Sequence, residues 1–278
     1  MIIRNKLCIV GLVIVIVLFL AGLLAPLIAG DPYKRDMENK LAPPSIEQPF
    51  GTDQLGRSLF SRVIYGARVS LFVAITITTI SMLIGSFMGT IGGYFGGFID
   101  DFVGRIIDVF LSIPGLILNI ALVGILYASF GPSIWNIIFA IMITDWAGYA
   151  RIARSSVLSL KEREFILAAR AMGADDLLIL FKHIIPNFIS GPILVLTTLN
   201  VGGVIMTVAS LGFLGLGIQP PTPEWGQILN SGKSYITTAP WIVTFPGLAI
   251  ALAILGFNLL GDGLRDALDP RLRHLLIK

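Results

Sequence analysis

Long apolar runs alternate with short polar segments along the 278 residues, and six runs are long enough to cross a bilayer as helices: about 7–29, 69–91, 107–130, 133–150, 188–214 and 241–263. A hydrocarbon core of about 30 Å needs about 20 apolar helical residues. The third run contains Asp108 and Pro114, and the fourth is short and contains Asp145. The pattern predicts an all-α, polytopic membrane protein with six transmembrane helices. It divides the chain into an N-terminal span with a polar loop, 1–68, and a bundle, 69–278, which encloses a charged loop at 151–187.

The polar segments carry their own patterns. In 30–68, Arg57, Ser61 and Arg68 fall near one helical face with Leu59, Val63 and Tyr65 elsewhere, which predicts a short helix at the interface with its arginines towards headgroups. In 215–240 the prolines of "GIQPPTPEWG" forbid a regular helix until about Glu224.

The loop at 151–187 is the unusual one. Ser159-Leu160-Lys161-Glu162 has capping-box spacing, which predicts a helix start just after Ser159. On that helix Phe165, Ala168, Ala169 and Met172 recur at i, i+3, i+4 and i+7, one apolar face with two alanines that would let a partner backbone approach. Gly173 is placed to break the helix in a left-handed conformation. Asp175 and Asp176 then suit the positive end of a second helix, with Leu177, Leu180, Phe181 and Ile184 as its stripe and Pro186 as its stop. Each helix is too short to span. The pair is expected to lie flat or project as a hairpin, packed on its own bundle or seated in another protein.

Composition agrees with a membrane protein: 55% of residues are hydrophobic and 13% charged, with a mean hydropathy of +0.86. A soluble domain carries about 25% charged residues. The net charge of +3 does not form a nucleic-acid-binding stripe. Thirteen of the 20 Lys and Arg residues fall in segments on the same side of the membrane as the N-terminus and seven on the other, so the positive-inside rule places both termini and the 151–187 loop in the cytoplasm. "MIIRNK" could begin a secretory signal, but the apolar run after it exceeds a signal core of about 7–15 residues, so an uncleaved first span is expected.

Chemistry is sparse. The single cysteine, Cys8, sits in the first apolar run and reads as a small buried hydrophobe, which leaves no disulfide framework. Neither HExxH nor GxSxG occurs, and the two histidines, His183 and His274, have no cysteine or carboxylate set at ligand spacing. Gly232-Lys233-Ser234 imitates the end of a P-loop, but five residues rather than four separate Gly226 from Gly232. No catalytic, cofactor or metal site is expected. Asp108, Asn119, Asp145, Asn200 and Asn258 are intramembrane polar groups that an ion-gradient-driven transporter could use as a relay, and a purely structural scaffold is the third class considered.

The loop resembles the signature of the membrane subunits of bacterial and archaeal ABC importers, Glu-Ala-Ala, three residues, Gly, nine residues, Ile, any residue, Leu-Pro. Leu167-Ala168-Ala169, Gly173, His183, Ile185 and Pro186 hold those positions, with Leu167, His183 and Ile185 departing from the motif. "GTDQLGRSLFSRVIYGARVSL", "LGFLGLGIQPPTPEWG" and "NLLGDGLRDALDPRLR" extend the likeness over the whole chain, to the peptide/nickel-type permeases with a GTD-x-x-GR segment before the second span. Ser58 replaces the acidic residue usual after that arginine, and Val208 stands where many peptide-importing relatives have a glutamate.

The resemblance implies a type I ABC importer fold in the cytoplasmic membrane. It implies a heterodimer with a second, homologous permease, two ATP-binding subunits that carry ATP and Mg, and an extracytoplasmic binding protein that delivers di- or oligopeptides, or alternatively nickel or its chelate. It places Glu164, Ala168, Ala169, Gly173, Ala174, Asp175 and Pro186 in the loop that couples to the ATPase, and Glu224 and Trp225 near the docked binding protein.

Overall fold

A computed structural model of the chain describes residues 6–268, which are helical nearly throughout. Among them the extended pairing is one isolated bridge between Thr52 and Ser58. Helix α1 covers Lys6–Leu23, α2 Leu59–Phe95, α3 Gly97–Ser112, α4 Gly115–Phe130, α5 Ile134–Leu160, α6 Glu164–Ala171, α7 Asp176–Phe213, α8 Trp225–Gly232 and α9 Trp241–Leu268.

Among the described residues α1, α2, α7 and α9 are long and apolar enough to cross a membrane, and the α3–α4 pair makes a fifth crossing if it counts as one bent span. The 90° bend has a local cause. Pro114 drives Ile113 into extended geometry (φ −97°, ψ 131°) and so breaks the helix. The run expected at 133–150 is also helical, as the first part of α5, but α5 carries Asp145, Arg151 and Arg154 and is less apolar than the four long spans.

Glycines set the packing. Gly85, Gly89 and Gly93 share one face of α2 at four-residue spacing. β-Carbons there would lie 2.3, 2.2 and 2.8 Å from the carbonyl oxygens of Trp146, Ala150 and Arg154, so α2 and α5 pack backbone on backbone, running parallel. Helices in lipid gain little from apolar burial alone, and such close approach is what joins them. Along α1 and α9 the same device recurs: Gly11 meets Leu260, Gly256 meets Ile14, and Gly263 meets Cys8, which is buried as expected. This antiparallel pairing brings Lys6 and Leu268 to one face of the bundle, the face where α2 ends and α6 begins.

Three local expectations are corrected. The interfacial helix in 30–68 is instead the continuous start of α2, and Arg57 and Ser61 are buried, leaving only Arg68 of that set exposed. Asp53 and Gln227 supply Arg57 and Arg62 with partners inside the protein, so these cations need no headgroups. Ser159 lies in the last turn of α5, and α6 starts after Arg163 with no side-chain cap, because α5 continues to Leu160.

Pro186 does not stop a short second helix. The helix runs on into α7 through two widened turns, Ile179–Ile184 and Ile189–Ile193, the second containing Pro192. Proline lacks an N–H and crowds the carbonyl four residues back. A π-type turn relieves that crowding without breaking the helix.

Candidate functional site

Two regions, at opposite ends of α2, hold the residues singled out from the sequence. The first is the hairpin formed by α6 and the start of α7. Gly173 ends α6 at φ +85°, the left-handed conformation expected of it. Gly173 N–H donates to the Arg170 carbonyl (3.0 Å) and Ala174 N–H to the Ala169 carbonyl (3.1 Å), the paired bonds of a Schellman motif. Asp175 caps α7, accepting from the Leu178 N–H at 3.2 Å.

The hairpin is tied to the bundle on one side only. Ile166, Ile179, Leu180 and Ile184 are buried against Tyr94, Tyr149 and Val157, and Ala169 is buried as well. Tyr94 Oη donates to Asp176, Arg170 donates to Tyr94 Oη at 3.3 Å, and Lys161 donates to the Gly93 carbonyl at 3.1 Å, all at the end of α2. The other side is uncovered: Phe165 is 45% exposed, Met172 82% and Phe181 69%, with Ala168 between them.

The predicted face is therefore split. Phe165, Ala168 and Met172 point outward, while Ala169 turns into its own bundle; Ile166, not singled out beforehand, is its buried companion. Of the second stripe Leu177 and Phe181 are exposed, and Leu180 and Ile184 are buried. Glu164 and Pro186 are exposed, and Ala174 is half-buried.

The second region clamps the start of α2 to α8. Glu224 caps α8, accepting from the Gly226 and Gln227 N–H groups at 2.9 Å each and from Ser70 Oγ at 3.1 Å. Burial pushes its carboxyl up, while these three donors pull the other way. Trp225 donates from Nε1 to the Val63 carbonyl (3.0 Å) and lies against Gly66, where a β-carbon would come within 2.8 Å of the ring. Both side chains are only 1% exposed. Neither presents itself to a partner, nor does Trp225 sit as an anchor in the lipid interface.

Beside them Arg62, fully buried, donates to Gln227 Oε1 at 2.9 Å and lies 3.5 Å from Asp53, which also pairs with Arg57 at 2.7 Å. Trp241 Nε1 donates to the Thr52 carbonyl at 3.1 Å and joins the loop to α9. The sequence reading missed Asp53, Arg62 and Gln227 as a set. Their spacing of 9 and 165 residues leaves no local pattern to find.

The relay candidates scatter. Asp108 pairs at the exposed surface with Arg151, 2.8 Å away, and Asn258 is exposed on α9. Asn119, Asp145 and Asn200 converge: Thr144 donates to Asn119 Oδ1 at 2.8 Å, and Asn200 donates to Asp145 at 2.6 Å and to Tyr149 Oη at 3.2 Å. Val208 is buried in the core. His274, Arg271 and Lys278 lie outside the described residues.

Comparison with known proteins decides what this bundle belongs to. Residues 81–274 match the model of the "Binding-protein-dependent transport system inner membrane component", and residues 2–44 match the "N-terminal TM domain of oligopeptide transport permease C". The chain belongs to the binding-protein-dependent transport permeases.

Among its relatives, a dipeptide transport system permease protein of Alkalihalophilus pseudofirmus is 46% identical over 97% of this chain and 88% of that protein. An oligopeptide transport system permease protein of Bacillus subtilis is 42% identical over 97% and 87%. A glutathione transport system permease protein of Escherichia coli O157:H7 is 43% identical over 97% and 88%. A chain of the MetNI methionine ABC transporter in an inward-facing crystal form superposes with a TM-score of 0.60 at 19% identity, covering 75% of this chain and 96% of that one, which extends the likeness to the fold. As a permease subunit this chain is a path for cargo rather than an enzyme, consistent with the peptide/nickel-type likeness of its segments.

Proposed function

We propose that the chain is one of two homologous membrane subunits of an ATP-driven importer of di- or oligopeptides, and that its α6–α7 hairpin docks in a groove of a partner ATPase. The observation that carries this is the uncovered apolar face of a hairpin whose other face is fastened to the end of α2. Phe165, Ala168 and Met172 would enter the groove, and Gly173, Ala174 and Asp175 would hold the bend; Glu164 and Pro186 flank them. ATP and Mg would be bound by the two partner ATPases. Closure of the ATPase pair would push the hairpin and swing the bundle as a rigid body between outward and inward access.

The dipeptide, oligopeptide and glutathione systems of the relatives support peptide cargo over nickel. The bent α3–α4 pair and α5 are read as crossings five and six, since α5 lies along α2 through its glycine face. Lys6 and Leu268 lie on the hairpin face, which supports cytoplasmic termini in a bacterial or archaeal inner membrane. The extracytoplasmic binding protein would dock on the opposite face, over a loop held rigid from below by Glu224 and Trp225.

Reconstitution tests the reading. Uptake of a labelled tripeptide into proteoliposomes should require ATP, the ATPase subunits and loaded binding protein; uptake driven by a proton or sodium gradient alone would overturn it. Cysteines placed at Lys40 and Met172 test the orientation. An impermeant maleimide should reach the first in intact cells and the second only after permeabilisation.

A further inference from the structure

A cavity of about 430 Å³ lies where the α3–α4 corner faces α5 and α7. Its polar lining is Asn119, Thr144, Asp145, Asn200 and Thr207. Asp145 stands near the middle of α5 rather than at a helix end, half-buried, and the side chain that bonds it is a neutral amide, Asn200 at 2.6 Å. The ion pairs of Asp53, Asp100, Asp108 and Asp176 do not involve Asp145. A carboxylate within a bundle is costly without a cation and is kept where it meets one in function.

The surroundings specify which cation. Among the described residues no three His, Cys, Asp or Glu gather as metal ligands, so Asp145 stands as a lone carboxylate among amides and hydroxyls. A divalent ion prefers several anionic or carbonyl oxygens. One carboxylate ringed by neutral donors and acceptors instead matches a primary ammonium followed by peptide groups. The volume lies within the usual range for small-ligand sites, about 300–1,000 Å³.

Resting on the peptide-cargo reading above, we propose that Asp145, oriented by Asn200, is the subsite that receives the cargo's α-ammonium group during passage, with Asn119, Thr144 and Thr207 meeting its peptide groups. Asn200 uses both amide hydrogens, one on Asp145 and one on Tyr149 Oη, which fixes the carboxylate towards the cavity before cargo arrives.

The test compares two probes, Ala-Ala-Ala and its des-amino analogue propionyl-Ala-Ala, in proteoliposomes holding the whole importer, with binding protein loaded to saturation by each. The wild type should take up the tripeptide about tenfold faster than the analogue. Asp145→Asn keeps the size and the hydrogen bond to Asn200; it should slow the tripeptide about tenfold and leave the analogue unchanged, so that the ratio falls to about one.

Asp145→Glu should restore a large part of the ratio, and ATP hydrolysis stimulated by loaded binding protein should persist in both variants, showing that they fold and assemble. A fall in both probes together, or an unchanged ratio, would overturn the subsite; a structural tie or an ion pair with another subunit gives the first result. Failure of the wild type to take up either probe with ATP would overturn the peptide-cargo reading and the subsite with it.

Discussion

The two ends of α2 are built on opposite rules. At its start Ser61, Arg62, Val63, Gly66 and Ser70 are all buried; Glu224, Trp225 and Gln227 close over them with bonds that cross more than 150 residues of sequence, and Asp53 pairs with Arg62 from the preceding loop. At its end Tyr94 holds the hairpin by a few polar contacts and the buried apolar face of Ile166, Ile179, Leu180 and Ile184, and the hairpin's outer side is left bare. The helix between is 37 residues, about 55 Å at 1.5 Å per residue. A stiff rod fixed hard at one end and fastened lightly to an exposed element at the other transmits displacement of that element into the bundle. The contrast separates residues that hold the fold from residues that await a partner.

The sharpest way to break the contrast is Trp225→Ala. It removes a fully buried indole and its bond to Val63, and loss of a buried aromatic side chain costs about 3–5 kcal/mol. Thermal unfolding of the purified permease should show that loss without any ATPase subunit present. An unchanged melting temperature would mean that the clamp does not hold the fold.

Gly89→Val strikes the rod itself, at the seam where its β-carbon would meet the Ala150 carbonyl at 2.2 Å. Overpacking of this kind costs about 1–3 kcal/mol. It should lower both the melting temperature and transport, because α2 and α5 must separate to admit the side chain. Full transport at wild-type stability would remove the seam from the account.

Much of this was legible beforehand, and the parts that were not have physical reasons. Apolar runs and the glycine-aspartate bend of the hairpin are local signals, so the helices, Gly173 and the Asp175 cap could be read from spacing. The extent of α7 could not, because proline reads as a stop unless widened turns absorb it, and such turns depend on neighbours. Ser159 imitated a capping box while α5 ran past it. The burial of Glu224, Trp225 and Arg57 arises from contacts distant in sequence, which made a polar loop look like a surface. One readable signal was overlooked: Ser81, Gly85, Gly89 and Gly93, spaced by four, announce a close-packed helix face.

Gly173→Val sharpens the other side of the comparison. A branched residue held at φ +85° is strained by about 1–2 kcal/mol, but no heavy atom lies within 4 Å of the new β-carbon. The bend rather than the core would absorb the change. The permease should insert and melt within a few degrees of wild type, whereas stimulation of ATP hydrolysis by loaded binding protein should uncouple from uptake. Retention of coupled uptake would detach Gly173 from the docking assignment.

The smallest expected effect on stability is the most discriminating for function. Met172 is 82% exposed beside the bend, so Met172→Ser removes no contact of consequence within the chain. Substitutions of that kind stay within about 0.5 kcal/mol. If the outer hairpin face meets an ATPase groove, the same change removes apolar contact at that interface: the melting temperature of the isolated permease should not move, but retention of the ATPase subunits during purification should fall several-fold. A face that merely rests in lipid predicts an equally unmoved melting temperature but full retention of the ATPase. Because Trp225→Ala should lower the melting temperature of the isolated permease and Met172→Ser should not, measuring both variants in both assays decides whether the two ends of α2 are as different in role as they are in burial.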